Sequence, residues 1–146
     1  MTDIIPFTFP ETGQPVRTVT NAPISESMDK ALQSVEAVEV TMARVRKVAV
    51  RLTAGADSLP ALLDVRVEAS SARGFVALQP RTAEDVRLWA DALGVDVTVS
   101  EETEDDGGHG VRALAEWSVD SVQVRLGSCE WFSPAEWAAR TAEAAA

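Results

Sequence analysis

The sequence predicts an α+β domain with a largely antiparallel sheet, on three observations. Segments of helical periodicity are mixed with alternating segments joined by short turns, a pattern typical of hairpins packed by helices. The chain has 146 residues, enough to bury a core without disulfides. It is 46% hydrophobic and 25% charged, as globular proteins are. We expect one α+β domain over 25–132, between an extended arm over 1–24 and an Ala-rich helix over 133–146.

The first predicted helix covers residues 25–54, with Ser25 as a candidate N-cap and Gly55 just past its end. Its apolar positions are three and four residues apart, which is the spacing of a heptad seam. The seam residues are Met28, Val35, Val38, Met42, Val45 and Leu52. The valine content also suits strands, so a break near Val40–Thr41 stays open. The seam predicts either a contact between copies of the chain or packing of the helix on its own sheet.

The remaining elements follow from alternation and from capping residues. Alternation of apolar and polar residues predicts strands at 62–69, 75–78, 95–99, 111–117 and 122–126. Thr82 and Ser133 are predicted to cap two further helices, and Gly94 to close the first of them. Residues 100–110 are predicted to be an acidic, glycine-rich loop.

Charge restricts the class of partner. The chain carries 23 acidic and 13 basic residues, a net charge of −10. Nucleic acid is therefore not expected to bind over the whole surface. Arg44, Lys47 and Arg51 form a basic stripe on the first helix, which is either a phosphate-contacting surface or a solvated face. The acidic surface could also mimic DNA and block a nucleic-acid-binding protein.

Residues suited to catalysis or metal binding are few. The chain has one His, one Cys and no Tyr, and it lacks the motifs of phosphate-binding loops, dinucleotide sites and nucleophile elbows. The acidic loop resembles an EF-hand loop over its first half, but Ala113 stands where a bidentate Glu is required. Asp105, Asp106 and His109 alone leave a metal site incomplete. We expect no enzymatic activity, no cofactor and no metal.

The chain is also expected to be cytoplasmic. No apolar run reaches the length of a membrane span, and the N-terminus lacks the features of a signal peptide. A single cysteine, Cys129, fits a reducing compartment, and we expect its side chain to be a small buried apolar group.

Three of the four tryptophans lie in the last thirty residues. Because Trp is enriched at interfaces, Trp131, Phe132 and Trp137 are predicted to bind a protein partner. The alternative is that these aromatic residues belong to the core and that Trp137 holds the last helix on the sheet.

The segment Phe7-Thr-Phe-Pro-Glu-Thr-Gly-Gln-Pro-Val-Arg-Thr-Val19 resembles the opening of the Bro-N domain of phage antirepressors. The resemblance covers about a tenth of the chain and stops at Thr20, so the DNA-binding body of that family is not present. It implies ancestry near phage or prophage genes rather than antirepressor activity. The remainder is similar in pattern to small uncharacterised proteins of actinobacteria and their phages.

The sequence thus predicts a non-catalytic, phage- or prophage-type accessory protein that acts through protein–protein interaction and forms a homo-oligomer. Four alternatives stay open: a DNA-associated regulator, an acidic DNA mimic, a virion structural protein and a small metal-dependent enzyme at the acidic loop.

Overall fold

The computed structural model describes residues 22–146. The segment Phe7–Val19, and nearly all of the predicted arm over 1–24, lie outside these residues. The chain divides into two units, Met1–Gln33 and Ser34–Ala146. Of the first unit, residues 22–33 are described, and they are helical.

The described residues form three α-helices, one short 3₁₀ helix at Ala56–Ser58 and five strands. In chain order the main elements are α1 (Ala22–Thr53), β1 (Leu62–Ala69), β2 (Gly74–Pro80), α2 (Ala83–Leu93), β3 (Thr98–Thr103), β4 (His109–Val119), β5 (Val122–Phe132) and α3 (Pro134–Ala145).

The five strands form one sheet in the order β1-β2-β5-β4-β3. The β2–β5 pair is parallel and the other three pairs are antiparallel. The predicted α+β class with a largely antiparallel sheet is therefore confirmed. β1 and β3 are the edge strands among the described residues.

Each strand presents alternate side chains to the two faces of the sheet. On the helix side, strands β2 and β5 contribute the centre of the core, with Val76, Leu78, Val122, Val124 and Leu126 buried. Trp89 of α2 is buried in the same core, and its indole N–H donates to the carbonyl of Pro60 at 2.9 Å. The opposite side, here called the open face, presents exposed arginines from three strands: Arg66, Arg112 and Arg125.

The second half of α1 packs on this core through Thr41, Val45, Val48 and Leu52, which are all buried. A Cβ atom at Gly74 of β2 would lie 2.6 Å from Cγ2 of Val45, so the helix rests directly on the strand backbone. Val45 and Leu52, predicted as seam residues between copies, therefore pack inside their own domain. This half of the seam belongs to the alternative of packing on the chain's own sheet.

The first helix also differs locally from its prediction. α1 is continuous through Val40–Thr41. The Thr41 hydroxyl donates to the Ala37 carbonyl at 2.9 Å within the helix. Ser25 lies inside the helix rather than at its cap, since α1 begins at Ala22. Gly55 follows the helix with φ of 76°, in the left-handed region that ends helices.

The second, fourth and fifth predicted strands are too short, and the third is displaced, since residues 95–97 lie outside the strands. β3 starts at Thr98 and runs to Thr103, so the acidic residues Glu101 and Glu102 belong to a strand and not to a loop. Charged side chains are common on edge strands, where they stay in contact with water. Acidic residues alone therefore do not indicate a loop. β4 and β5 pair over eleven residues each, around a two-residue turn at Asp120–Ser121.

Candidate functional site

The edge strand β1 leaves apolar side chains uncovered on the helix side of the sheet. Val65 is paired with Leu78 and Val67 with Val76, so all four face the helices. The two β2 residues are fully buried, whereas Val65 is 45% and Val67 54% exposed. The helix layer therefore covers β2 and stops short of β1.

Helix α1 forms the second wall of a groove beside this strand. Met42, Arg46 and Val50 are spaced by four residues and so lie along one side of the helix. Met42 is 52% and Val50 64% exposed. The groove has a volume of about 400 Å³ and is closed on the other side by Val67, Glu68 and Ala69. We call the four exposed residues Met42, Val50, Val65 and Val67 the apolar edge.

The other edge strand, β3, is built differently. Glu101 is paired with the buried Val111, which places a carboxylate on the helix side of β3. Inward-pointing charges on edge strands oppose pairing with another chain, because pairing would bury the charge. On β1 the positions of regular register that face the helices are occupied by Val65, Val67 and Ala69. Of the two sheet edges, only β1 thus lacks this protection within the described residues.

The open face carries a shallow depression of about 370 Å³ lined by Arg66, Arg112 and Arg125. Two of these arginines have carboxylate neighbours: Arg125 lies 3.1 Å from Glu116, and Arg66 lies 3.9 Å from Glu68. Asp64 also lines the depression, so three carboxylates stand against three arginines, and an anion finds little net attraction there. Cys129, predicted to be buried, is an exposed member of its lining because its strand position points to the open face.

His109 is buried at the start of β4 and is held on both ring nitrogens. Nδ1 lies 3.0 Å from the Thr103 hydroxyl and Nε2 lies 3.3 Å from the Glu101 carboxylate. The indole of Trp137 stacks on the imidazole, with ring centroids 3.7 Å apart. The arrangement fixes α3 to the β3–β4 end of the sheet.

The acidic residues of the β3–β4 connection do not converge on His109. The Asp106 carboxylate accepts a hydrogen bond from the backbone N–H of Gly108 at 2.8 Å, which shapes the turn. Across residues 22–146, no three His, Cys, Asp or Glu side chains are grouped so that they could hold a metal ion.

Helix α3 begins with a complete capping box. The Glu136 carboxylate accepts from the backbone N–H of Ser133 at 2.7 Å, and the Ser133 hydroxyl accepts from the Glu136 N–H at 3.2 Å. Hydrogen bonds from the Ser133 backbone and then from its side chain lower the pKa of Glu136 below its usual value.

The predicted aromatic partner-binding residues are divided between the two faces of the sheet. Phe132 and Trp137 are half-buried and pack on the core, with ring centroids 5.6 Å apart. Trp131 points to the open face, where it is 54% exposed and its ring lies against Gly110. Of the three, only Trp131 is placed to contact a partner without rearrangement of the core.

The remaining predicted residues lie on α1. In the second unit, Val35 and Met42 are exposed and Val38 is half-buried; in the first unit, Met28 is exposed. The basic stripe is also exposed, but Arg51 is engaged in an ion pair with Asp120 at 3.1 Å. The use of Arg44, Lys47 and Arg51 to contact phosphate stays a prediction.

Sequence reasoning missed Val65, Val67 and Val50 as surface residues. The alternation of β1 correctly separates its two faces, but alternation alone does not reveal that the helix layer ends before this strand. No helix of residues 22–146 has both the length and the apolar character needed to cross a membrane. No protein-family model, no curated protein and no solved structure matches the chain.

Proposed function

We propose that this protein is a non-catalytic interaction protein that acts as a homo-oligomer, and that the apolar edge is the contact between its copies. The observation that carries the proposal is the half-exposure of Val65 and Val67 on the core side of the sheet. Side chains on that side are normally buried, and contiguous exposed apolar surface marks interaction sites.

The chemistry of the molecule supports the same function. The buried His109 is engaged by Thr103, Glu101 and Trp137, and each of these contacts holds secondary structure elements together. The groove at the apolar edge is lined mainly by aliphatic side chains, which suit packing against another apolar surface rather than bond-making chemistry.

A second copy of the chain is the occupant that we propose. Most soluble oligomers are symmetric, and a two-fold axis brings the same patch of both subunits together. A patch made of an edge strand and one helix side is suited to this, since each copy supplies both the strand and the groove. The role in a phage or prophage implied by Phe7–Val19 remains a prediction.

The test is a charge placed on each sheet edge in turn. Val67→Lys would bury an ammonium group in the contact, so we expect a shift from oligomer to monomer in size-exclusion chromatography with light scattering. Val99→Lys is the matched control, since Val99 lies on the helix side of β3 and is 37% exposed. We expect this control to keep the mass of the wild-type oligomer.

Circular dichroism should show that both variants fold, because both positions are partly exposed. An unchanged oligomer mass for a folded Val67→Lys variant would contradict the proposed contact.

A further inference from the structure

We infer that β1 pairs antiparallel with β1 of a second copy about a two-fold axis through Val67, which joins two five-stranded sheets into one. This inference rests on the proposed homo-oligomer and specifies its geometry. It is argued from the edge of β1 that no described strand pairs with, from the faces of its side chains and from their charges.

The backbone of β1 has room for another strand. β1 is the outermost strand of the described sheet, so half of its N–H and C=O groups point away from β2. Its pairing with β2 is regular from Asp64 to Ala69 and irregular between Leu62 and Asp64. The segment available for regular pairing is therefore 64–69.

Symmetry limits the registers of such a pair. Residues directly opposite each other in antiparallel strands point to the same face of the sheet. A two-fold axis perpendicular to the sheet must then lie midway between the two copies of one residue, which faces its own symmetry mate. A register without such a central residue would set side chains of different faces opposite each other. We name each axis by its central residue. The candidate centres are the six residues 64–69, but an axis at Ala69 would pair no other residue of the segment.

Charge separates these candidates. Asp64, Arg66 and Glu68 all lie on the open face of β1, opposite Gln79, Ala77 and Phe75 of β2. An axis through any of the three would place two like charges directly opposite each other, which destabilises a sheet. An axis through Val65 or Val67 instead places Arg66 opposite a carboxylate of the second copy.

The extent of regular pairing favours Val67 over Val65. An axis through Val67 pairs residues 65–69 of both copies, with Arg66 opposite Glu68 and Val65 opposite Ala69. An axis through Val65 pairs only residues 64–66 before it reaches the irregularity at Leu62–Asp64. The Val67 register also sets that valine against its symmetry mate, beside the groove walls formed by Met42 and Val50.

The inside faces of the two strands match as well. In the Val67 register the helix side of the junction contains Val65, Val67 and Ala69 from each copy. The half-exposed valines of the apolar edge would thus become central residues of a continuous core face. The pairing removes the unprotected edge of both sheets at once.

The inference is tested by reversing charges on the open face, with the dissociation constant of self-association measured by sedimentation equilibrium. Arg66→Glu converts two attractive cross-strand pairs into repulsive ones, and we expect the dissociation constant to rise by about tenfold. The double variant Arg66→Glu with Glu68→Arg restores opposite charges in the Val67 register and should recover the wild-type value.

Two further variants complete the design. Arg112→Glu makes the same charge change on β4, which lies three strands away from β1, and should leave the dissociation constant unchanged. The double variant Arg66→Glu with Asp64→Arg restores opposite charges only in the Val65 register. Recovery of the wild-type dissociation constant in this double variant alone would overturn the Val67 register.

The two levels of the proposal fail differently. A wild-type chain that stays monomeric would overturn the proposed homo-oligomer together with this inference. A wild-type oligomer whose dissociation constant is unmoved by Arg66→Glu would overturn the strand pairing and leave the homo-oligomer standing.

Discussion

Gly74 shows how a single residue sets the distance between α1 and the sheet. Three methyl groups, one each from Thr41, Val45 and Val122, lie within 3.3 Å of the position that a Cβ atom would take there. Glycine therefore allows α1 to approach β2 and β5 closely. β1 lies next to β2 at the edge of the sheet, and its Val65 and Val67 side chains are about half exposed.

The turn between β4 and β5 offers a test at a single residue. Ser121 has φ of 65°, a left-handed conformation that glycine adopts without the steric cost of a Cβ atom. Glycine loses more backbone entropy on folding, which offsets part of this gain. The relief of strain is the larger effect, so we expect Ser121→Gly to raise the free energy of unfolding by about 0.5–1 kcal/mol.

The matched control for this turn is Ser118→Gly, which introduces glycine into a paired strand position of the same hairpin. It should lower the free energy of unfolding by about 0.5–1 kcal/mol. Urea denaturation followed by circular dichroism measures both variants, and a destabilised Ser121→Gly variant would contradict the expected relief of strain.

At the scale of elements, capping residues and alternation predict most of the fold. Thr82 caps α2 as expected, with its hydroxyl accepting from the Asp85 N–H at 3.0 Å, and Gly94 closes that helix with φ of 69°. These contacts are local, so residue types at short spacing are sufficient to predict them. The extent of β3 was missed because its pairing with β4 depends on residues that lie farther along the chain.

The candidate site could be predicted only in part, because it too depends on contacts between residues that are far apart in the chain. Helical spacing identifies Met42 as apolar surface or core, but the sheet decides which face of α1 is buried. The buried stripe runs through Thr41, Val45, Val48 and Leu52, and this leaves Met42 beside the groove. The order of strands makes β1 an edge strand. This order depends on tertiary pairing and cannot be predicted from the spacing of apolar residues within β1.

Helix α3 provides a prediction of pH dependence. The folded-state pKa of Glu136 is depressed below 4.5, so the ionised carboxylate stabilises the helix start. This contribution is present above the unfolded pKa and is lost as pH falls through the lower folded value. We expect amide exchange in 134–145 to become faster, relative to the core strands, as pH is lowered below about 4.5.

Glu136→Gln is the control for this effect. A glutamine can accept the same hydrogen bond from Ser133 but does not titrate, so the acid-dependent loss of protection in α3 should be reduced. Equal pH dependence in the variant and the wild type would show that other groups control the stability of this helix.

At the scale of the whole molecule, charge and apolar surface are distributed differently. The net charge of −10 keeps copies apart at long range, whereas the apolar edge favours contact at short range. The open face has three arginines, two of them paired with carboxylates, and the described residues form no comparable apolar strip there. In the proposed homo-oligomer, self-association depends on one side of the molecule, the side that carries β1 and the second half of α1.

The most direct measurement is the molar mass of the wild-type chain by sedimentation equilibrium across the micromolar range. The account predicts a concentration-dependent mass that rises from 15.6 kDa towards twice that value, as expected for association through a single two-fold contact. A mass that stays at 15.6 kDa at every concentration would contradict the homo-oligomer and the strand pairing derived from it.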